Sequence, residues 1–291
     1  MANNNVTSAP KKKSHGAEIW HRFKKNKLAV IGLIVITIMV LAAILAPLIA
    51  PYGFDEQNYS ETFIRFSPKH PLGTDNLGRD ILSRLLIGSR VSLTIGFIAV
   101  GIGLVFGGLV GAIAGYYGGT VDDILMRIID IIMAIPQIIF AISICSALGP
   151  GLVNTMIAVG IAGAPNYARI LRSSILSVKQ QEFVEAATAI GASDFRIITK
   201  HIIPNSLSGL IVQASMGVGR AIISAASMSF VGLGIQPPNP EWGAMLSFGR
   251  TYFRDYGYMI LYPGLFIFIA VLSMNLIGDG LRDALDPRLK R

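Results

Sequence analysis

"EFVEAATAIGASDFRIITKHIIPN", Glu182 to Asn205, is a polar interruption in a chain that is otherwise mostly apolar. Glu182, Glu185, Asp194, Arg196, Lys200 and His201 all fall within it. Phe183, Ala186, Ala187 and Ile190 recur at i, i+3, i+4 and i+7, and Phe195, Ile198 and Ile202 repeat the pattern after Gly191-Ala192-Ser193. The spacing predicts two short amphipathic helices around a glycine turn. Asp194 places negative charge at the start of the second helix, where the helix dipole favours it. Pro204 either ends the segment or opens the apolar run that follows, where a missing N–H does no harm. A helix adhering to anionic lipid would carry a basic face. Here Glu182 and Glu185, with Ala186, Ala187 and Gly191, make a small and slightly acidic surface that suits insertion into a protein groove.

The surrounding composition sets the class. The chain has 291 residues, 52% hydrophobic and 14% charged, with mean hydropathy +0.58. Soluble domains carry about 25% charged residues. "LAVIGLIVITIMVLAAILAPLIA", Leu28 to Ala50, has no charge, and roughly 20 apolar residues span a bilayer as a helix. It is too long for a signal-peptide core and lacks a small-residue cleavage site, so it reads as an anchor. The expected fold is an all-α polytopic membrane protein of six transmembrane helices, at about 28–50, 91–115, 124–148, 152–171, 206–231 and 258–279. The single Cys145 lies inside an apolar run and reads as a packed thiol.

Charge orients this arrangement. The net +8 sits at the flanks: Lys11, Lys12, Lys13, Arg22, Lys24, Lys25 and Lys27 precede the first span, and Arg282, Arg288, Lys290 and Arg291 follow the last. With both termini cytoplasmic, and Arg127 and Arg169 at cytoplasmic helix ends, 17 of the 25 Lys/Arg fall inside and seven outside, with Arg220 in mid-span. The positive-inside rule supports that orientation. Basic flanks of membrane helices account for the charge without nucleic acid. The tails are then 1–27 and 280–291, and 91–279 forms a five-helix core. Within that core, segment 172–205 lies inside and loop 232–257 outside, while segment 51–90 is external.

Gly103, Gly107, Gly111 and Gly115 step through the second span at intervals of four. Small residues so spaced form a groove that admits a second helix where lipid supplies no hydrophobic drive. They sit within an apolar helix with no preceding strand, which excludes a dinucleotide loop. In "HPLGTDNLGRDILSRLLIGSRVSL", His70 to Leu93, Thr74 or Asp75 is placed to cap a helix. Leu77, Ile81, Leu85 and Leu86 would lie on its face, with an Asp80–Arg84 pair. The expectation is a short helix in the outer interface; the alternative is a solvated connector. In "GLGIQPPNPEWGAMLSFGRTYFRDYGY", Gly232 to Tyr258, Pro237, Pro238 and Pro240 stiffen the loop. Trp242, Tyr252, Phe253, Tyr256 and Tyr258 are residue types of the membrane–water boundary. Pro237, Pro238, Glu241 and Trp242 are candidates for docking an external protein.

"EAATAIGASDFRIITKHIIPN" resembles the EAA motif of ABC importer permeases, and "KHIIPN" is similar to its ending in the peptide-importer branch. His201 stands where the general motif has isoleucine, and Ile203 replaces its leucine. "HPLGTDNLGRDILSRLLIGSRVSL", "GIQPPNPEWGAML" and "GDGLRDALDPRLKR" each look like signatures of that branch, and of its second, C-type permease in dipeptide and oligopeptide importers. The resemblance implies a type I importer in a bacterial or archaeal cytoplasmic membrane. It also implies partners: a second permease, two ABC ATPase subunits and an external substrate-binding protein. Glu185, Ala186, Ala187, Gly191, Asp194 and Pro204 would form the ATPase-coupling segment. ATP and Mg would bind the ATPase partners, leaving this chain without cofactor or metal. No "GK" dipeptide occurs, so no P-loop is available.

Two other classes compete. An intramembrane enzyme needs converging nucleophile, base or metal ligands, yet His15, His21, His70 and His201 all fall outside the hydrocarbon. A channel needs a ring of carbonyls or charges, and no filter sequence is evident. The resemblance implies a di- or oligopeptide cargo, or else nickel, glutathione or another small solute. Arg220 sits too deep for easy snorkelling, and an ionisable group at such depth faces a cavity or a partner. It either lines the translocation path or forms a structural ion pair, with Asp130 or with the other permease.

Overall fold

A computed structural model describes residues 15–286; Lys11, Lys12, Lys13, Ser14, Arg288, Lys290 and Arg291 lie outside the described residues. Among those described, the only β pairing is an isolated bridge between Thr74 and Asp80. The helices in chain order are α1 His15–Phe23, α2 Lys27–Ile49, α3 Ile81–Tyr117, α4 Gly119–Met133, α5 Gln137–Leu148 and α6 Leu152–Lys179. They continue as α7 Glu182–Ala189, α8 Asp194–Arg196, a π-helical turn Ile197–Ile202, α9 Ile203–Phe230, α10 Trp242–Gly249 and α11 Tyr258–Leu285.

The first apolar run folds as expected. Asn26 caps α2 by accepting from the Ala29 N–H at 3.1 Å. A stripe of Ala29, Gly32, Ile36, Ala43 and Ala46 is buried, while Ile31, Ile34, Ile38, Leu41 and Leu48 remain exposed. Exposed aliphatic surface along a 23-residue helix is what contact with lipid tolerates and water does not.

The second run begins earlier than expected. α3 is one helix of 37 residues from Ile81, so the connecting segment after α2 stops at Asp80 and no separate interfacial helix forms. Asp80, not Thr74 or Asp75, is the cap: its Oδ2 accepts from the Ser83 N–H at 2.7 Å. Ile81 and Leu85 are buried against the protein. The Asp80–Arg84 pair is not made, because Asp80 meets His70 Nδ1 at 2.9 Å and Arg84 donates to the Phe54 carbonyl at 2.6 Å. Nothing between Ile81 and Val91 breaks a helix except Gly88, and one glycine costs only about 1 kcal/mol.

The third run is broken. α4 and α5 meet at an angle of 89° across Ala134, Ile135 and Pro136. Proline lacks the N–H that would continue the ladder and pushes its predecessor out of helical geometry. Among the described residues, four helices are long and apolar enough to cross a membrane (Lys27–Ile49, Ile81–Tyr117, Asp194–Phe230 and Tyr258–Leu285), and the bent pair makes a fifth if counted as one span. The remaining expected span falls on α6. That helix has the length, at 28 residues, but Asn154, Asn166 and Arg169 make it more polar than the others.

α6 is instead the helix that α3 packs along most extensively, with α9 against both. Gly103, Gly107, Gly111 and Gly115 form the seam. A Cβ at Gly107 would overlap the Ala164 carbonyl oxygen, and one at Gly111 would overlap that of Ala168. At Gly103 it would lie 2.9 Å from the Tyr167 ring, and at Gly115 3.0 Å from Ile175 Cβ. The two backbones touch, which is how helices associate when dispersion and weak polar contacts replace the hydrophobic drive.

Candidate functional site

Three regions contain the residues singled out by sequence. The first is the turn between α6 and α9. α7 ends in a Schellman arrangement: the Gly191 N–H bonds the Thr188 carbonyl at 3.0 Å and the Ala192 N–H bonds that of Ala187 at 3.1 Å. Gly191 takes φ +78, the left-handed conformation that closes such a cap. The expected apolar stripe is only partly covered by the chain itself. Val184 and Ala187 point inward, whereas Phe183, Ile190 and Phe195 are exposed, Ile190 by 84%. Ala186, Glu182 and Glu185 are exposed beside them. The turn is therefore an apolar knob with an acidic edge.

The second expected short helix is not separate. Asp194 begins a run that continues to Phe230 through the π turn. Pro204 causes the widening. A normal turn would drive its ring into the carbonyl four residues back. The chain instead pairs the Ile203 N–H with the Ile198 carbonyl, five residues back, and Asn205 Nδ2 donates to the His201 carbonyl at 2.7 Å. Asp194 is held by the Tyr116 hydroxyl at 2.6 Å, while Lys179 Nζ donates to the Tyr116 carbonyl at 2.7 Å. The knob is thereby fixed to the ends of α3 and α6 and is continuous with α9.

The second region surrounds Arg220 on α9. With its amide oxygen turned inward, as the hydrogen bonding requires, Gln213 accepts from Arg220 Nη1 at 3.2 Å. A cavity of about 20 Å³ is lined by Arg220, Tyr167, Asn166 and Gln137 together with Val100 and Ala221. Gly217 makes room for Tyr167, whose hydroxyl would overlap a Cβ there. Arg220 itself is exposed on this chain. The alternative of an Arg220–Asp130 pair is not realised: Asp130 bonds Arg169 at 2.5 Å. One helix turn further along α6, Arg172 grips both oxygens of Asp122 at 2.5 Å. Sequence reading missed Tyr167, Asn166, Gln137 and Gln213. The signal was their polarity in apolar runs, beside Pro165 and Pro136.

The third region is the cap formed by the 51–80 segment and the 232–257 loop, where two docking candidates are buried. Glu241 is 1% exposed and Trp242 0%. Glu241 caps α10, accepting from the Gly243 and Ala244 N–H groups at 2.8 Å each, and receives the Ser92 hydroxyl at 3.1 Å. The Trp242 ring N–H donates to the Leu85 carbonyl at 3.3 Å. Neither side chain reaches a soluble partner, whereas Pro237 and Pro238 stay exposed. Two aromatics of the loop turn inward as well, while Phe253 stays exposed: Tyr256 stacks on Phe63 at 4.1 Å, and the Tyr258 hydroxyl donates to the Thr74 carbonyl at 2.8 Å. Among the described residues, no cluster of His, Cys, Asp or Glu is arranged to hold a metal ion.

Residues 107–291 match the family described as binding-protein-dependent transport system inner membrane component. Residues 14–68 match the N-terminal TM domain of oligopeptide transport permease C. The dipeptide transport system permease protein DppC of Alkalihalophilus pseudofirmus is 48% identical over 94% of this chain and 90% of its own length. Its namesake in Haemophilus influenzae is 42% identical over the whole of both chains. The glutathione transport system permease protein GsiD of Pectobacterium atrosepticum is 44% identical over 94% of this chain and 91% of its own. Among solved structures, the methionine ABC transporter MetNI in an inward-facing conformation superposes with TM-score 0.58 at 21% identity. That match covers 70% of this chain and 96% of the other, and supports the fold alone.

Proposed function

The chain belongs to the family of binding-protein-dependent transport system inner membrane components, as a permease of an ATP-driven ABC importer, and from that premise we propose that its cargo is a di- or oligopeptide. The observation that carries the cargo is identity of 42–48% to dipeptide permeases along 94–100% of the chain. Glutathione is the second reading, on the 44% identity to a glutathione permease, and it is itself a modified peptide. Uptake into proteoliposomes holding the assembled transporter and its binding protein separates them. Labelled Ala-Phe is expected to enter with ATP and to be displaced by other dipeptides more strongly than by glutathione. The reverse order of competition overturns the peptide assignment.

In this reading the chain pairs with a second permease, two ATPase subunits and an external binding protein, and the ATPases hold ATP and Mg. The knob of Phe183, Ile190 and Phe195 enters a groove of one ATPase, and its movement passes directly into α9. Both termini and the 172–205 segment face the cytoplasm, with six membrane passages formed by α2, α3, the bent α4–α5 pair, α6, α9 and α11. Cysteine labelling in sealed cells tests the orientation, since native Cys145 is fully buried. Asn239→Cys should react with an impermeant maleimide, and Ser193→Cys and Ser14→Cys should react only after lysis. Reaction of Ser193→Cys in intact cells overturns it.

Arg220 faces the path between the two permeases. A guanidinium exposed at mid-span is too costly to leave against lipid, at least ~2.5 kcal/mol. Its planar fork suits transient contact with a peptide carboxylate. Arg220→Gln is expected to leave assembly intact and to slow uptake about tenfold, the loss of one charge-assisted contact. A complex that dissociates on this substitution points to a structural pair with the second permease and sinks the path role.

A further inference from the structure

The external cap encloses a cavity of about 390 Å³ between the 75–84 turn, the 232–239 loop and α10. That volume lies within the ~300–1,000 Å³ typical of small-ligand pockets. Three guanidinium groups, from Arg79, Arg84 and Arg250, contribute to its lining against a single carboxylate, Asp75. Asp75 is already committed: it accepts from Arg79 Nε at 2.7 Å and from the Leu77 and Arg79 N–H groups at 2.9 and 3.0 Å.

The other two cations have only neutral hydrogen-bond or ring partners, although Asp75 and Asp55 act on Arg84 through space. Arg84 is 8% exposed and donates to the Phe54 and Pro238 carbonyls at 2.6 and 3.4 Å. Arg250 is exposed, with its guanidinium 4.8 Å from the centre of the Phe230 ring. Among the described residues, neither forms an ion pair with a carboxylate. A guanidinium presents five donors in a fixed fork, and a charge withdrawn from water is best compensated by an opposite one. Ile235, Met245 and Phe248 supply an apolar wall in the same cavity.

We propose that this cavity is an external binding site for a small amphiphilic carboxylate, held at Arg84 and Arg250 with its apolar substituent against Ile235, Met245 and Phe248. The carboxylate terminus of a short peptide has this chemistry, and in naming that ligand the proposal rests on the peptide-cargo reading. The site is distinct from the Arg220 cluster, with which it shares no lining residue. It would hold cargo before the path opens.

The test uses the assembled transporter in nanodiscs without binding protein, and reads the thermal unfolding midpoint, which rises when a ligand binds the folded state. Ala-Phe is expected to raise the midpoint in a saturable way, and Ala-Phe amide and inorganic phosphate are not. Arg250→Gln, at an exposed position, should weaken the apparent affinity for Ala-Phe about tenfold, while Arg254→Gln, exposed and outside the cavity lining, leaves it unchanged. Equal shifts with Ala-Phe and its amide, an unchanged affinity in Arg250→Gln, or loss of the shift in Arg254→Gln overturns the site. A phosphate shift matching that of Ala-Phe also overturns it, since it marks an indiscriminate anion or headgroup site. ATP-driven uptake of labelled Ala-Phe with no binding here sinks the cavity and spares the peptide reading. If no peptide is taken up, yet N-acetylphenylalanine shifts the midpoint in an Arg250-dependent way, the peptide reading fails and the carboxylate site stands.

Discussion

Gly107→Leu is expected to abolish recovery of the folded permease. A Cβ at this position would overlap the backbone carbonyl of Ala164, and the next carbon atoms of leucine have no free direction along the α3–α6 seam. Overpacking among side chains costs about 1–3 kcal/mol because rotamers give way. Here the opposing atom is backbone, and relief requires the two central helices to separate. Separation also removes Gly103 from Tyr167, Gly111 from Ala168 and Gly115 from Ile175. A loss above about 4 kcal/mol follows, which lies in the range reserved for core disruption. Size-exclusion chromatography of fluorescently tagged transporter should show no monodisperse complex. Gly101→Leu is the control on the same helix, since nothing lies within 4 Å of a Cβ there, and it should assemble normally. Normal assembly and uptake with Gly107→Leu would show that α3 and α6 do not meet in the membrane.

Gly191→Pro is expected to leave the permease inserted and assembled while reducing uptake by a factor on the order of 100. Gly191 holds φ +78, and proline is confined near −65°. Proline also deletes the N–H that bonds the Thr188 carbonyl at 3.0 Å. No atom lies within 4 Å of a Cβ at this site, so the damage is confined to the turn. The strain, of order 1–3 kcal/mol, redirects α7 relative to α8 and moves Ile190 away from Phe195. Glu185→Lys should act through charge alone, reversing the acidic edge of the knob, because Glu185 is exposed. Both variants should lose substrate stimulation of ATPase activity along with uptake. Normal stimulation and uptake in both would remove the lever role from this segment.

Much of this was legible along the chain because it depends on neighbours in sequence. The Leu28–Ala50 run, the four-residue glycine step and the Gly191 turn each state their geometry locally, by length, by period and by the φ that glycine permits. The 124–148 run was expected as one span, but Pro136 breaks it, and the 89° between its halves depends on what packs on either side. Which part of the α7 stripe the chain itself covers was not legible, for a related reason. Phe183 and Ile190 share the apolar stripe with Ala187, yet they project while Ala187 is buried beside Val184. Periodicity finds a stripe and does not say whether the protein's own core or a partner will cover it.

Tertiary structure alone decided the polar groups. Glu241 reads as a surface carboxylate and Trp242 as an interface anchor, but Ser92 and Leu85, about 150 residues earlier, turn both into the core. Asp130 found Arg169 rather than Arg220, and Arg84 and Arg250 came to share one cavity across more than half the chain. A helix follows from the chemistry of residues three and four apart. The partner of a buried charge is whichever group the completed packing brings within about 3 Å, and no local pattern in the sequence encodes that distance.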